Sequence, residues 1–308
     1  MSRASTDPAS LVAPPAARAG SSAAQAHSDA ELAEAYAYCT RLARSHYENF
    51  TIASWLMPRE MRPHMHAIYA YARMADDFAD EEHDLAKLDA WEHELDLCYA
   101  GKPRHPVFVA LAATVRRYNI PREPFADLLI AFRSDVNFRG FDTLDDLLGY
   151  ARYSANPVGR LVLYLFGYRD PERQHLSDLV CSGLQLANFW QDVALDLGKN
   201  RIYLPRADLA RFGVTPGDLA RRAATPAFVD LMRYEVEVAR AMLREGAQLS
   251  RLVDRRLRRD ILMFAGGGLV ILRAIERAGF DVFQSRPKLN KLDYLRLGLN
   301  AALGRLCV

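Results

Sequence analysis

Oxygen-bearing side chains recur at one-turn spacing in two places along this chain, and columns of that kind suit a hard divalent cation. The first place reads Tyr69-x-x-x-Arg73-x-x-Asp76-Asp77-x-x-Asp80-Glu81. At about 100° per residue, Tyr69, Arg73, Asp76 and Asp80 share a helical face roughly 60° wide. Asp76 and Asp80 stand one turn apart, where two like charges destabilise a bare helix by roughly 0.2–0.5 kcal/mol and a shared cation reverses the sign. The second reads Gln185-x-x-Asn188-x-x-x-Asp192-x-x-x-Asp196, four side chains within about 80° of arc. Leu184, Leu186, Ala187, Phe189 and Trp190 surround this polar stripe with apolar surface, so burial leaves its carboxylates and amides in need of a partner. Asp76, Asp80, Asn188, Asp192 and Asp196 are therefore candidate ligands of Mg²⁺, an ion that keeps several waters and is completed by substrate phosphates. Two other uses of acidic helices compete. A solvated helix face accounts for either column alone. A di-iron bundle needs two Glu-x-x-His pairs, and only Glu172/His175, beside Pro171 at a helix start, has that spacing.

The elements that must position these columns are helical. From Asp29 onward, Ala, Leu, Arg and Glu dominate and alternating strand patterns are scarce. Helices are predicted over 29–49, 58–81, 85–100, 106–118, 122–133, 144–168, 171–197, 225–252, 256–278 and 288–302. Pro58, Pro106, Pro121, Pro171, Pro226 and Pro287 fall at starts or in connections, where proline is tolerated. The polar, basic stretch 198–205 is a loop. Gly266–Gly268 lies inside a helical pattern at about 1 kcal/mol per glycine relative to alanine, and reads either as close helix packing or as room for a bulky ligand.

Composition bounds the rest. The chain has 308 residues, 50% hydrophobic and 25% charged, with net charge +2, which is enough apolar material for one all-α domain over 29–308 and no charge excess that would draw nucleic acid. Residues 1–28 are rich in Ala, Ser and Pro and read as a disordered tail, since the run Leu11–Ala13 is too short for a secretory segment. No apolar run reaches the roughly 20 residues of a transmembrane helix. Cys39, Cys98, Cys181 and Cys307 are far apart and read as reduced thiols of a cytoplasmic protein.

The two columns also carry a resemblance. Together with Gly149-Tyr-Ala-Arg-Tyr-Ser-Ala-Asn-Pro-Val-Gly159 and Arg201-Ile-Tyr-Leu-Pro205, they resemble the signature segments of the squalene/phytoene synthases, across about 36–291. The resemblance implies a single-domain isoprenoid-synthase helical bundle with a central cavity, Mg²⁺ on both acidic helices and a prenyl diphosphate substrate of 15 carbons or more. Within the family, His46-Tyr-Glu-Asn-Phe-Thr-Ile-Ala-Ser-Trp-Leu-Met-Pro58 and Ala187-Asn-Phe-Trp-Gln-Asp192 most resemble the hydroxysqualene synthases of the bacterial hopanoid pathway. Squalene and phytoene synthases typically carry Ser and a basic residue near 47–49 and Arg where this chain has Gln191. The departures lower the positive charge available to a second diphosphate.

That branch implies conversion of presqualene diphosphate and water to hydroxysqualene and diphosphate, with pathway neighbours that make the substrate and reduce the product. Arg73 and Tyr69 would hold the diphosphate, with Gln185 and Asn188 orienting ligands or waters. Lys199, Arg201 and Arg286 read either as loop cations that capture the leaving group or as ordinary solvated cations; Gln191 is a substrate-binding candidate, and Phe50, Tyr150 and Val158 would line the apolar wall. Trp55, Tyr153, Phe189 and Phe264 are further wall candidates. His46 or Glu48 could accept the proton lost in water capture. Two alternatives stay open: a complete squalene or phytoene synthase joining two prenyl diphosphates, and a non-catalytic complex I assembly factor of the same fold, from which loss of the metal-binding aspartates would be expected. NADPH is not expected, because no Gly-x-Gly-x-x-Gly loop follows a strand. Arg255, Arg256, Arg258 and Arg259 form a basic cluster that reads as a solvated face or as a contact for anionic headgroups, and so allows peripheral membrane association.

Overall fold

A computed structural model describes residues 27–45 and 57–307. Within them the secondary structure is helical, without strands. Ser28 caps α1 (Asp29–Ser45) by exchanging hydrogen bonds with Glu31. There follow α2 (Arg62–Asp80), α3 (Leu85–Tyr99), α4 (Pro106–Tyr118), α5 (Glu123–Val136), α6 (Leu144–Ser154), α7 (Asn156–Leu165) and α8 (Pro171–Gly198). Two short helices, α9 (Arg206–Phe212) and α10 (Pro216–Ala220), precede α11 (Pro226–Gly246), α12 (Arg255–Arg277) and α13 (Lys291–Ala302). Side-chain oxygens of Asp84, Thr143, Asp170, Thr225 and Asp254 cap the first-turn amides of α3, α6, α8, α11 and α12, each worth about 1 kcal/mol. The tail expected over 1–28 and the positions His46, Glu48, Phe50 and Trp55 lie outside the described residues, apart from His27 and Ser28.

Helix ends shift by up to four residues from the sequence reading, as at α2, which begins at Arg62 and not at 58, and three differences are larger. The helix expected over 144–168 is two helices. Pro157 in the first turn of α7 lacks an N–H and crowds the residue before it, so the chain breaks at Ala155. The buried Asn156 then accepts a hydrogen bond from Ser182 Oγ at 2.8 Å. The helix expected to reach 252 ends at Gly246 and runs on as a 3₁₀ turn over Ala247–Arg251. The connection after 198 contains α9 and α10, which are too short for a helical period to register in sequence; α10 is set instead by the Thr215/Asp218 capping box.

The core falls in two halves. One gathers α1 to α5 and part of α7 around Tyr71, Trp91, Phe108 and Phe125, with Tyr71 Oη donating to the Phe125 carbonyl at 2.9 Å. The other gathers α8, α11 and α12 around Trp190, Phe228 and Leu243, with Trp190 Nε1 donating to the Glu235 carbonyl at 3.1 Å. Helix α8 is the shared wall: it packs on α11 and α12, and on α7 through the two-pronged Arg160–Asp178 pair at 3.0 and 2.6 Å. The four cysteines are free, and burial pushes the thiols of Cys39, Cys98 and Cys181 up to about 12.

Of the two readings of Gly266–Gly268, close packing is the one seen. A β-carbon at Gly266 would lie 2.7 Å from Leu297 of α13, and one at Gly268 2.8 Å from Leu243 of α11. Gly246 is tighter still, because its neighbours are backbone: a β-carbon there would lie 2.7 Å from Val180 N and 2.9 Å from Leu176 O of α8. Backbone cannot rotate away. Gly246→Ala is therefore expected to destabilise the fold by about 2–3 kcal/mol, read as a lower midpoint in urea unfolding, whereas alanine at the open Gly298 should not.

Candidate active site

Helix α2 carries Tyr69, Arg73, Asp76 and Asp80, and α8 carries Gln185, Asn188, Asp192 and Asp196. One cation joins the two. Arg201, in the segment between α8 and α9, donates from Nη2 to Asp80 Oδ1 at 3.1 Å, and its charge acts on both Asp135 of α5 and Asp196 of α8. Arg201 is only 16% exposed, with its guanidinium 5.7 Å from the centre of the Phe138 ring. Burial by itself would lower its basicity, but the hydrogen bond to Asp80 and the negative field around it raise it instead.

The carboxylates crowd one another. Burial first, then the Asp80 charge, pushes Asp76 up to about 6 against the pull of Arg73. Burial and Asp192 push Asp196 up to about 6, against Lys199, Arg201 and Arg286. Asp135 is pushed up to about 7 by burial, with a hydrogen bond from Tyr150 opposing and Asp80 and Asp76 adding. Asp135 and Tyr203 belong to this group and were missed in the sequence. Asp135 has no acid three or four residues away on α5, so no spacing marks it; Tyr203 was visible only as part of the Arg201–Pro205 segment.

Other expected residues are placed as follows. Arg73 is already held by Asp76 and Glu81, at 3.1 Å each, and by Asp77, while its Nε is buried without a hydrogen-bond partner among the described residues. Tyr69 is half-buried within the field of Arg73 and Asp76. Gln185 is half-buried and Asn188 exposed on the same face of α8. Lys199 caps the end of α8 and is exposed. Gln191, expected to touch substrate, is instead buried: its Nε2 donates to the Pro287 carbonyl and its Oε1 accepts from Arg286 at 3.4 Å. That tether sets Arg286 as a two-pronged partner of Asp192, so the charge missing at Gln191 is supplied from the segment before α13.

Beside the acids lies an aromatic shelf. Tyr150 Oη donates to Asp135 at 2.9 and 3.0 Å, Phe189 and Tyr203 stack with centroids 3.8 Å apart, and Phe138 and Phe141 extend the group. An apolar cleft of about 470 Å³ continues from it between Phe141, Ile202, Leu204 and Leu219. Val158 packs on the first core half and Phe264 near Val180 and Ala265, so neither joins the shelf.

Among the described residues no three His, Cys, Asp or Glu side chains converge closely enough to hold a metal by themselves. The donors are nonetheless all oxygen and come as a one-turn pair on each helix, with Asp76 and Asp196 raised by burial and by the neighbouring charges of Asp80 and Asp192. A hard cation completed by phosphate oxygens and water fits that set.

The sequence profile of the squalene/phytoene synthases matches residues 19–293. The chain is 33% identical to the hydroxysqualene synthase of Sinorhizobium fredii over 261 residues, covering 82% of this chain and 87% of that one. It is 30% identical to the phytoene synthase of Arthrospira platensis over 281 residues, covering 83% and 89%. In structure it is similar to the squalene synthase HpnC of Alicyclobacillus acidocaldarius, with a TM-score of 0.80, 45% identity and coverage of 82% and 97%.

The raised carboxyls fix a pH dependence. A carboxyl whose pKa is higher folded than unfolded stabilises the fold in its protonated form; the contribution is complete below about 4 and is lost as pH rises through 6 for Asp76 and Asp196 and 7 for Asp135. Glu235 and Asp260, raised by burial elsewhere, to about 8 and 7, act in the same direction. The melting temperature of the metal-free protein should fall between pH 5 and 8, and Asp135→Asn should flatten part of that slope. A slope unchanged in the variant would remove Asp135 from the group.

Proposed function

The chain belongs to the squalene/phytoene synthase family, and from that premise we propose that it is a hydroxysqualene synthase. It would convert presqualene diphosphate and water into hydroxysqualene and diphosphate. The observation that carries an enzymatic reading is the pair of acidic columns on α2 and α8, complete in all four aspartates and bridged by Arg201. The likeness to hydroxysqualene synthase and to HpnC, with the segments at 46–58 and 187–192, supports this branch.

In the proposed reaction the carbon–oxygen bond to diphosphate breaks with its electron pair leaving on oxygen. The cyclopropylcarbinyl cation rearranges, a water oxygen forms the new carbon–oxygen bond, and one proton is released. No electrons enter or leave, so no reductant is consumed. Mg²⁺ bound by Asp76, Asp80, Asn188, Asp192 and Asp196 would supply Lewis-acid stabilisation of the departing charge. Arg201, Arg286 and Arg73 are held on carboxylates; with phosphate oxygens present they have a second anionic partner, and guanidinium matches it in two-pronged fashion. Lys199 is a further cation at the rim, and the Tyr69 phenol a donor. The faces of Tyr150, Phe189 and Tyr203 are suited to a passing carbocation, at about 0.5–2 kcal/mol per favourable contact. His46 and Glu48 remain the candidates for the released proton. The substrate must come from a reaction that joins two 15-carbon diphosphates, and the alcohol product passes to a reduction.

A complete synthase acting on two prenyl diphosphates is the second reading. Arg286, tethered by Gln191 against Asp192, restores the cation expected from an arginine at 191, and the likeness to phytoene synthase is comparable. Product analysis separates the two: with Mg²⁺, presqualene diphosphate should yield hydroxysqualene with or without NADPH, and farnesyl diphosphate alone should yield nothing. A hydrocarbon or presqualene diphosphate formed from farnesyl diphosphate would establish the second reading. Asp76→Asn and Asp192→Asn should each lower turnover on the order of 10²–10³-fold, and Mg²⁺ with diphosphate should raise the melting temperature of the wild type but not of these variants.

A further inference from the structure

Helix α13 turns its apolar face outward. Its inner face is set by Asp293, Leu297 and Ala301, one turn apart and buried, with Asp293 paired to Arg277 of α12 at 3.5 Å. On the opposite side Leu292, Leu295, Leu299 and Leu303 are 51, 68, 60 and 60% exposed, and at about 100° per residue they fall within about 80° of arc. Five of the nine exposed large hydrophobic residues among those described lie at 292–303. Scattered exposed leucines need no explanation, but an ordered stripe does.

The surroundings of the stripe are basic. Lys288, Lys291, Arg296 and Arg305 are exposed around it, and the acid within α13, Asp293, is the buried one. Between α12 and α13 a cleft of about 650 Å³ is lined by Arg273, Arg277, Arg296 and Asn300. The two acids of that cleft are committed, Glu276 to Arg240 at 2.6 Å and Asp293 to Arg277, while Arg273 and Arg296 form no ion pair among the described residues. A second copy docking by symmetry on this face would bring two such rims together and repel. An anionic bilayer answers both features, taking the leucines at the acyl boundary and a headgroup phosphate in the arginine cleft. No helix of the described residues is long and apolar enough to cross a membrane, so the helix would lie along the surface.

We propose that α13 is a membrane-docking element: its leucine face and the Arg273/Arg296 cleft bind the surface of an anionic lipid bilayer. This surface is distinct from the Arg255–Arg259 cluster, and it does not depend on which prenyl diphosphate the enzyme uses. It also lies close in the chain to the acids, since residues 287–290 alone separate α13 from Arg286 on Asp192.

The test is flotation of the full chain with vesicles of phosphatidylcholine, or of phosphatidylcholine mixed with phosphatidylglycerol. Wild-type protein should partition to the anionic vesicles at least tenfold better, with binding weakened by salt. Leu295→Ser/Leu299→Ser should lower that binding about tenfold, and Arg273→Gln/Arg296→Gln about thirtyfold, with melting temperature and turnover on detergent-dispersed substrate unchanged. Wild-type binding equal on the two vesicle types, or leucine and arginine variants that bind as wild type, would overturn the proposal. So would a lipid-free dimer in sedimentation that the leucine variant abolishes, since a second copy would then be the occupant.

Discussion

Everything in this molecule is arranged around a group of carboxylates that cannot be comfortable alone. Asp76 from α2, Asp135 from α5 and Asp196 from α8 are held partly out of water, Asp76 and Asp135 within the field of Asp80 and Asp196 within that of Asp192. Arg73 of α2 is the counterion of Asp76, while Arg201 on Asp80 and Arg286 on Asp192 come from irregular segments outside the bundle. The division is sensible physically. Helices hold the anions at one-turn spacing, while two of the three arginines sit on connecting segments.

The bundle exists to resist that repulsion. Helix α8 is clamped at three points by two helices: by Trp190 bonded to α11, by Gly246 allowing α11 to within backbone contact, and by the Arg160–Asp178 pair to α7. On the other side α2 is held by Tyr71, fully buried and bonded to α5. Each acidic column is thus the polar edge of a helix whose remaining faces are fixed by apolar burial. The crowding is maintained by packing energy from elsewhere in the domain.

Much of this was legible in the sequence, because helical period is a strong local signal. It placed Asp76 with Asp80 and Asp192 with Asp196 on single faces, marked most helix starts by proline and cap residues, and identified the family through those same columns. What was not legible is long-range. Nothing local announces that Asp135 joins Asp80, that Tyr150 bonds Asp135, or that Gln191 turns inward to hold Pro287 and Arg286. The charge expected to be lost at Gln191 reappears from 95 residues further on, which single-position reasoning cannot anticipate. The break at Ala155 is signalled only by Pro157, since the apolar period continues through it.

The tether from Gln191 to Pro287 has a thermodynamic corollary. Arg286 is shared between the carboxylate it now holds and any phosphate that arrives, and the four residues after it, 287–290, lead directly into α13. If seating α13 shifts the balance of Arg286 between those two partners, occupancy of the diphosphate site must shift the seating of α13 by the same factor, since coupling free energy is reciprocal. Product release and the grip of the last helix would then be two readings of one equilibrium.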